Sequence, residues 1–385
     1  MGLINNIKNF FTKKETGQRF EMITQNTGSF FSFRGNLYQS DVIRAAIRPK
    51  ARAIGKAIAA HIQNDYKTKK TKQNDNPNIR MILEEPNPYM TGQMLQEKLI
   101  TQLELNNNAF AYVYRENNIP VEIYPVDCTS FQMAKDGQGE LYMVFLMKDG
   151  REWIAKYTNI IHLRKDFANN EFLGENNQKA LIDLMEVVTI SDQGIINAVK
   201  SSGVIRWLLK FNTALKREDL EKRAKEFSAT YTATESSTGG VAAVGADADV
   251  KQIDTKEYVP NALQAQNSIK RIYSYFNTNE KIVTSQYTED EWISYYENTI
   301  EPEIIQMSNE FTRKIFTKKE RAYGNKIVFL SSNLTFASMQ TKLQLVQLVD
   351  RGIMTPNEVR EVLGYASAEG GDEFIRRLDT RPTSE

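Results

Sequence analysis

The spacing of apolar side chains predicts helices at the start of the chain. Val42, Ile43, Ala46, Ile47, Ile54, Ile58 and Ile62 recur at helical intervals over residues 40–63. Ser40 is placed to cap this helix and Asp41 suits its first turn. Arg44, Arg48, Lys50, Arg52 and Lys56 are expected on its outer surface. Residues 65–78, with Lys67, Lys69, Lys70 and Lys72, read as a solvated loop, with the chemistry to touch nucleic acid but more commonly an exposed hairpin tip. Pro86-Asn87-Pro88-Tyr89 is a rigid turn, because proline fixes its own φ and restricts the residue before it. Thr91 then caps a second helix over residues 92–106, with Met94, Leu95, Leu99, Leu103 and Leu105. Alternating runs predict strands at 109–115, 121–124, 141–147, 152–155 and 160–163. Asp136-Gly137 and Asp149-Gly150 supply hairpin turns between them.

The pattern then becomes helical again over 178–201, with Leu181, Leu184, Val188, Ile195 and Val199 on one face. A strand at 204–211, a charged helix at 216–231, a Ser/Thr/Gly-rich segment at 234–240 and strand pattern over 241–253 form a small insert. A helix at 261–275, with Leu263, Ile269, Ile272 and Tyr273, closes it. Residues 279–290 are a polar segment ahead of a long helix over 290–318. Trp292, Tyr296, Ile300, Ile304, Met307, Phe311 and Ile315 form its apolar stripe. At 1.5 Å per residue it would be on the order of 40 Å long, with a kink at Pro302. A strand at 327–330 and helices at 338–351 and 356–363 follow, the last capped by Thr355 with Pro356 at its first position. Gly370-Gly371 and the tail beyond Asp379 read as loose. Leu3, Ile4, Ile7, Phe10 and Phe11 give the first residues one apolar face, open to two readings: a flexible arm, or a short amphipathic helix for a partner or a membrane surface.

Composition narrows the classes. The 385 residues carry 49 Lys and Arg against 48 Asp and Glu, a net charge of +1, which argues against a strongly cationic nucleic-acid-binding surface, though not against a protein that handles nucleic acid loosely. One Cys excludes a disulfide framework, and two His, His61 and His162, argue against a histidine-built metal site. No apolar run reaches the roughly 20 residues that span a bilayer.

Searches for reactive constellations give little. Gly55-Lys56 lacks the rest of a phosphate loop, and Gly137 and Gly139 fit a hairpin turn better than a dinucleotide site. His162 sits in an apolar run and reads as a hydrogen-bonded structural histidine. The acidic groups Glu84-Glu85, Glu289-Asp290-Glu291 and Glu301/Glu303 have the chemistry for a divalent ion, but Glu289–Glu291 suit a helix start, and Glu301 and Glu303 point to different faces of one helix. No catalytic residue, metal ligand or cofactor is expected.

Five stretches in a fixed order carry a resemblance: residues 40–47 (SDVIRAAI), 86–91 (PNPYMT), 106–111 (NNNAFA), 202–204 (SGV) and 352–360 (GIMTPNEVR). In this order the chain resembles the portal proteins of tailed double-stranded DNA phages, of the kind typical of siphophages. The resemblance implies an α+β, portal-type architecture. It places an arm at 1–27, an α/β wing at 28–172, a stem helix at 173–202, a small α/β clip at 203–258 and a second stem helix at 259–278. A tunnel loop at 279–290, a tunnel helix with a return to the wing at 291–335, and a short helical crown with tail at 336–385 follow. It implies a homo-oligomeric ring, usually of twelve, at one capsid vertex of the virion, assembled in the host cytoplasm. Its partners would be double-stranded DNA in transit, the large terminase, the major capsid protein or scaffold, and a head–tail adaptor. Lys281, Thr284, Ser285, Gln286 and Tyr287 would face DNA in the tunnel, and Arg206, Lys210, Lys216 and Arg217 would face a partner from the clip. The tunnel segment lacks the family's proline-rich start, and the C-terminal part is short. The alternatives are a metal-dependent nuclease built on the acidic groups and a membrane-associated binding module built on the arm.

Overall fold

A computed structural model describes residues 21–22, 28–29, 40–65, 70–73, 76–168, 171–175, 178–201, 207–211, 216–227, 248–252, 262–330, 346–363 and 365–375. The chain divides into two compact units, Met1–Leu184 with Ile269–Glu385, and Met185–Ser268.

In the first unit two short strands, β1 (Glu21–Met22) and β2 (Gly28–Ser29), precede helix α1 (Asp41–Gly55). The helix stops well short of residue 63, and β3 (Ile58–Asp65) follows after one tight turn. Ile54, Ile58 and Ile62 are four residues apart, a spacing that keeps one face in a helix and in a strand alike. Asp41 accepts the Val42 N–H at 2.8 Å, while the Ser40 side chain makes no capping bond. β4 (Lys70–Gln73) pairs antiparallel with β3, so the Lys-rich stretch is a hairpin, its tip at 66–69 lying outside the described residues. Helix α2 (Pro77–Glu84) was not expected. Asn76 caps it by accepting the Asn78 N–H at 3.1 Å, and Pro77 occupies the first turn.

The turn at Pro86-Asn87-Pro88-Tyr89 is fixed from within. Asn87 donates to the Ile123 carbonyl at 2.8 Å and accepts the Tyr89 N–H at 3.0 Å. Helix α3 (Gly92–Asn106) starts at Thr91, as expected, and is almost wholly enclosed, with Leu95, Leu99, Ile100, Leu103 and Leu105 buried. It packs against α1 and against β5 (Asn108–Glu116). Asn107 ends it in the left-handed region at φ 53°. β5 is the centre of a sheet ordered β10-β5-β6, with β6 (Ile119–Pro125) and β10 (Ile160–Arg164). A second sheet runs β1-β7-β8-β9, with β2 also on β7 (Cys128–Lys135); its other members are β8 (Leu141–Met147) and β9 (Glu152–Lys156). The pattern missed β7, where Ser130 and Gln132 interrupt the buried Cys128, Phe131 and Met133.

Aromatic rings join the two sheets. Phe110 meets Phe131 at 4.8 Å and Phe145 at 5.2 Å, and Tyr112 meets Trp153 edge-on at 5.0 Å. Each such ring contributes about 1.5–3 kcal/mol by leaving water. His162 stacks on Phe110 at 4.6 Å and pairs with Asn108 Oδ1 at 3.0 Å and the Tyr157 hydroxyl at 3.2 Å. Burial, then the nearby Arg164 charge, pulls its pKa well below the usual value, so it is the neutral structural histidine expected. Asn107 and Asn108 bind the loop behind, Asn108 exchanging both amide bonds with Gly174 at 2.8 and 3.0 Å. A Cβ on Gly174 would lie 2.1 Å from the Asn107 carbonyl oxygen.

In the second unit, α4 (Gln178–Ser201, shared at its start with the first) leads to an antiparallel pair, β11 (Trp207–Phe211) and β12 (Ala248–Gln252). Between them runs the exposed α5 (Arg217–Phe227), and α6 (Ala262–Tyr275) returns to the first unit. The segment at 234–240 lies outside the described residues.

The long helix expected at 290–318 is one helical run over 289–315 with a π turn inside it. Helix α7 (Glu280–Val283) comes first, then α8 (Glu289–Tyr295), a π turn at Tyr296–Ile300, and α9 (Glu301–Ile315). The Glu301 N–H reaches five residues back to Tyr296. The widened turn therefore sits immediately ahead of Pro302, which has no N–H to give.

Helix α9 seals the edges of two sheets. Gln306 donates to the Arg164 carbonyl at 2.8 Å and accepts its N–H at 3.1 Å at the end of β10. Strand β13 (Asn325–Leu330) pairs with β3 and forms an edge of the sheet β13-β3-β4. Its outward N–H groups are taken by hydroxyls of α9, Ile327 by Thr312 at 2.9 Å and Phe329 by Ser308 at 3.2 Å. Edge groups satisfied this way are withheld from other chains. Helix α10 (Lys318–Ala322) links α9 to β13 through a Thr317/Glu320 capping box. The C-terminal part holds α11 (Val346–Asp350) and α12 (Pro356–Val362), where Thr355 accepts the Glu358 N–H at 3.3 Å. Gly371, expected in a loose segment, is buried: its carbonyl takes the Asn357 N–H at 2.9 Å.

Candidate functional site

The residues expected to face DNA occupy one continuous exposed turn, and it is more ordered than a loop. Asn279 accepts the Ile282 N–H at 3.0 Å and starts α7, whose buried Ile282 pins it to the body. Ser285 turns the chain at φ 59°, and Gln286 N–H bonds back to the Lys281 carbonyl at 2.8 Å. Thr288 and Glu291 then form a full capping box for α8. Lys281, Thr284, Ser285 and Gln286 are exposed, and Tyr287 stacks on Trp292 at 4.8 Å.

Lys281, expected to face DNA, has an ion-pair partner. Its ammonium is paired with Glu291. That bond, followed by the Thr288 N–H, holds the Glu291 carboxyl below its usual range. With Lys281 paired, Glu280, Glu289 and Asp290 leave the segment net acidic, with hydroxyl, amide and phenol groups also outward.

Behind it lies a site that the pattern missed. Lys50, assigned to the surface of the first helix, is 1% exposed. Its ammonium lies 2.8 Å from Glu104 and 3.3 Å from Glu303. Lys165 reaches the same two oxygens at 2.7 and 3.1 Å. One four-member cluster thus ties α1, α3, the end of β10 and α9, one residue past Pro302. Burial alone would raise the Glu104 pKa, but Lys50 and then Lys165 outweigh it and bring the value to about 2. Burial, and next the Glu104 charge, raise Glu303 to about 7. At neutral pH one carboxylate is firmly ionised, and the other takes up a proton readily. A signal for this existed: Lys50 falls between Ala46 and Ile54 on the apolar stripe, and Glu104 sits between Leu103 and Leu105.

In the second unit, Lys210 is exposed on β11 in register with Asp249. Lys216 and Arg217 are exposed at the start of α5, where Arg217 pairs with Glu221 at 3.3 Å. Arg206 lies outside the described residues. Among the described residues no group of three or more His, Cys, Asp or Glu side chains is arranged to hold a metal ion.

Solved structures share this mixed α+β fold. The neck of an empty GTA particle, computed with C6 symmetry, matches with a TM-score of 0.65 at 12% identity, over 90% of this chain and 98% of that one. The neck of a native GTA particle, computed with C12 symmetry, matches at 0.61, with 14% identity over 89% and 97%. An HK97 family phage portal protein from Corynebacterium diphtheriae matches at 0.51, with 11% identity over 81% and 99%. The fold is thus that of virion-neck and portal subunits. The family model for phage portal proteins covers residues 41–364, and the chain belongs to that family, a structural and non-enzymatic one. The probable portal proteins of Lactococcus phages p2 and SK1 are each 24% identical over 260 residues. That match takes in 65% of this chain and 64% of the length of those relatives.

Proposed function

We propose that this chain is the subunit of a closed ring, of twelve copies, at a unique capsid vertex of a tailed phage, through which double-stranded DNA is packaged and ejected. The observation that carries this is the family match over residues 41–364, joined to a fold that spans nearly the whole of a neck subunit. In this reading β1–β10 with α1–α3 are the wing, α4 and α6 the stem, and β11, α5 and β12 the clip. The turn at 279–290 faces the channel, α8 and α9 are the tunnel helix, and α11 and α12 form a reduced crown. The ring would be a virion component that docks the large terminase during packaging, the major capsid protein or scaffold at the shell, and a head–tail adaptor afterwards.

The physics favours a conduit over a grip. Each neutralised phosphate releases counterions and adds affinity, so a channel lined with free lysines would hold its cargo. Pairing Lys281 with Glu291 removes most of that attraction and leaves Thr284, Ser285, Gln286 and Tyr287 for weak, replaceable contacts. Of the acidic residues that motivated a nuclease, Glu291 is held by the capping box and Lys281, and Glu303 by the buried cluster. Sedimentation of the full chain tests the ring: a species many times the 44.1 kDa of one chain supports it, and a monomer at every concentration refutes it.

A further inference from the structure

The net charge of +1 conceals a segregated distribution. Between Asp41 and Gln73 the sequence holds nine Lys and Arg but only two acids, Asp41 and Asp65. On α1 these cations recur every four residues, at Arg44, Arg48, Arg52 and Lys56. Four residues advance a helix by about 6 Å and rotate it by about 40° beyond one turn, so the four form one slowly winding row about 18 Å long. Lys56, just past the last turn, keeps helical backbone angles and extends the row. The opposite face carries Ile43, Ile47, Lys50 and Ile54 into the core.

Arg48, Arg52 and Lys56 are exposed, and none forms an ion pair with a described residue. At one end of the row Asp41 accepts the adjacent Val42 N–H, and at the other Glu97 lies against Gly55 while accepting the Gln93 amide at 2.9 Å. Half-buried Ala45 and Pro49 flank the row on the helix, so the helix itself offers no large apolar anchor of the kind that organises a protein interface; the exposed Ile58 follows on the strand beyond Lys56. A regular line of like charges without such an anchor complements a regular line of opposite charges. Duplex DNA presents roughly one phosphate per 1.7 Å of axis, about ten over the length of the row.

We infer that the outer face of α1 is a second, sequence-independent docking face for the phosphate backbone of duplex DNA, separate from the turn at 279–290. The choice of DNA as the polyanion rests on the portal reading. The face itself follows from the charge row. Contacts of this kind position a duplex without reading its bases.

The test uses the full-length protein, a short duplex of random sequence, and affinity measured from 50 to 200 mM salt. R48Q/R52Q removes two contacts while keeping good helix formers. The log–log salt slope should become shallower by about one for each contact removed, about two in all for each subunit touching the duplex. R48E/R52E should weaken binding further, and K281A should leave this component of the slope in place. Sedimentation of the same variants reports ring formation independently, so a failed portal reading and a failed docking face are distinguishable. A slope unchanged in both arginine variants overturns the inference. So does a variant that binds DNA like the parent but no longer joins a capsid shell, which would make the row a protein contact.

Discussion

Replacing the two buried glutamates one at a time, each by glutamine, should give opposite results. The lysines hold the Glu104 carboxyl at about 2 in the folded protein against an ordinary value of 4.5, and its side chain is 3% exposed. That difference is worth about 3 kcal/mol at 1.36 kcal/mol per unit. An acid with a lowered folded pKa contributes its stability above the unfolded value and loses it as pH falls toward the folded one. E104Q should therefore cost about 3 kcal/mol at pH 7, in the range seen when a buried pair is broken. The melting temperature should fall by on the order of 6 °C. Glu303 behaves in the reverse sense. Its folded value of about 7 lies above 4.5, so the wild-type protein loses stability as pH rises between them. Its Oε2 has no hydrogen-bond partner, so an amide displaces no bond at that atom. E303Q should be near neutral at pH 4.5 and more stable than wild type at pH 8, by up to about 3 kcal/mol. Scanning calorimetry of both variants across pH 4–8 reads these differences. If E303Q is destabilised at pH 8 as much as E104Q, both carboxylates are ionised in the fold and the assignment of charge within the cluster is wrong.

Three further perturbations follow from particular contacts. T312V leaves the Ile327 N–H on β13 without its acceptor and should cost about 1–3 kcal/mol in urea unfolding; a change below 0.5 kcal/mol would show that the hydroxyl does not hold this edge. Gly324 has φ 88° and an added Cβ would lie 2.0 Å from the Asn64 carbonyl oxygen, so G324A should destabilise by at least about 1–3 kcal/mol, and an unchanged melting curve would contradict that packing. K281A/Q286A should leave ring assembly intact and impair DNA packaging or retention in infected cells; normal packaging would remove the turn at 279–290 from the channel.

Much of the fold was legible because burial here follows period. The helix at Gln178–Ser201 and the strand at Leu141–Met147 have the bounds their apolar patterns predict. Where reading failed, two periods coincided or polar residues did core work. Ile54, Ile58 and Ile62 satisfy helix and strand alike, so the boundary at Gly55 was invisible. Strand Cys128–Lys135 sets the half-buried Ser130 and Gln132 between its buried residues and gave no strand signal. Helix Pro77–Glu84 hid behind a lysine-rich approach, although Asn76 and Pro77 mark its start. At the candidate site, the exposed turn could be located but not the pairing of its one lysine. Lys281 and Glu291 are ten residues apart and meet only because α7 and α8 fold back on each other. Lys50, Glu104, Lys165 and Glu303 converge from four elements, a long-range arrangement that local pattern does not encode.

Top views of the purified full-length protein by electron microscopy test the central claim most directly. The account predicts closed annular particles of uniform rotational symmetry with a central hole that admits a B-form duplex. Particles that never close, or a closed ring too narrow for the duplex in every state, would contradict it.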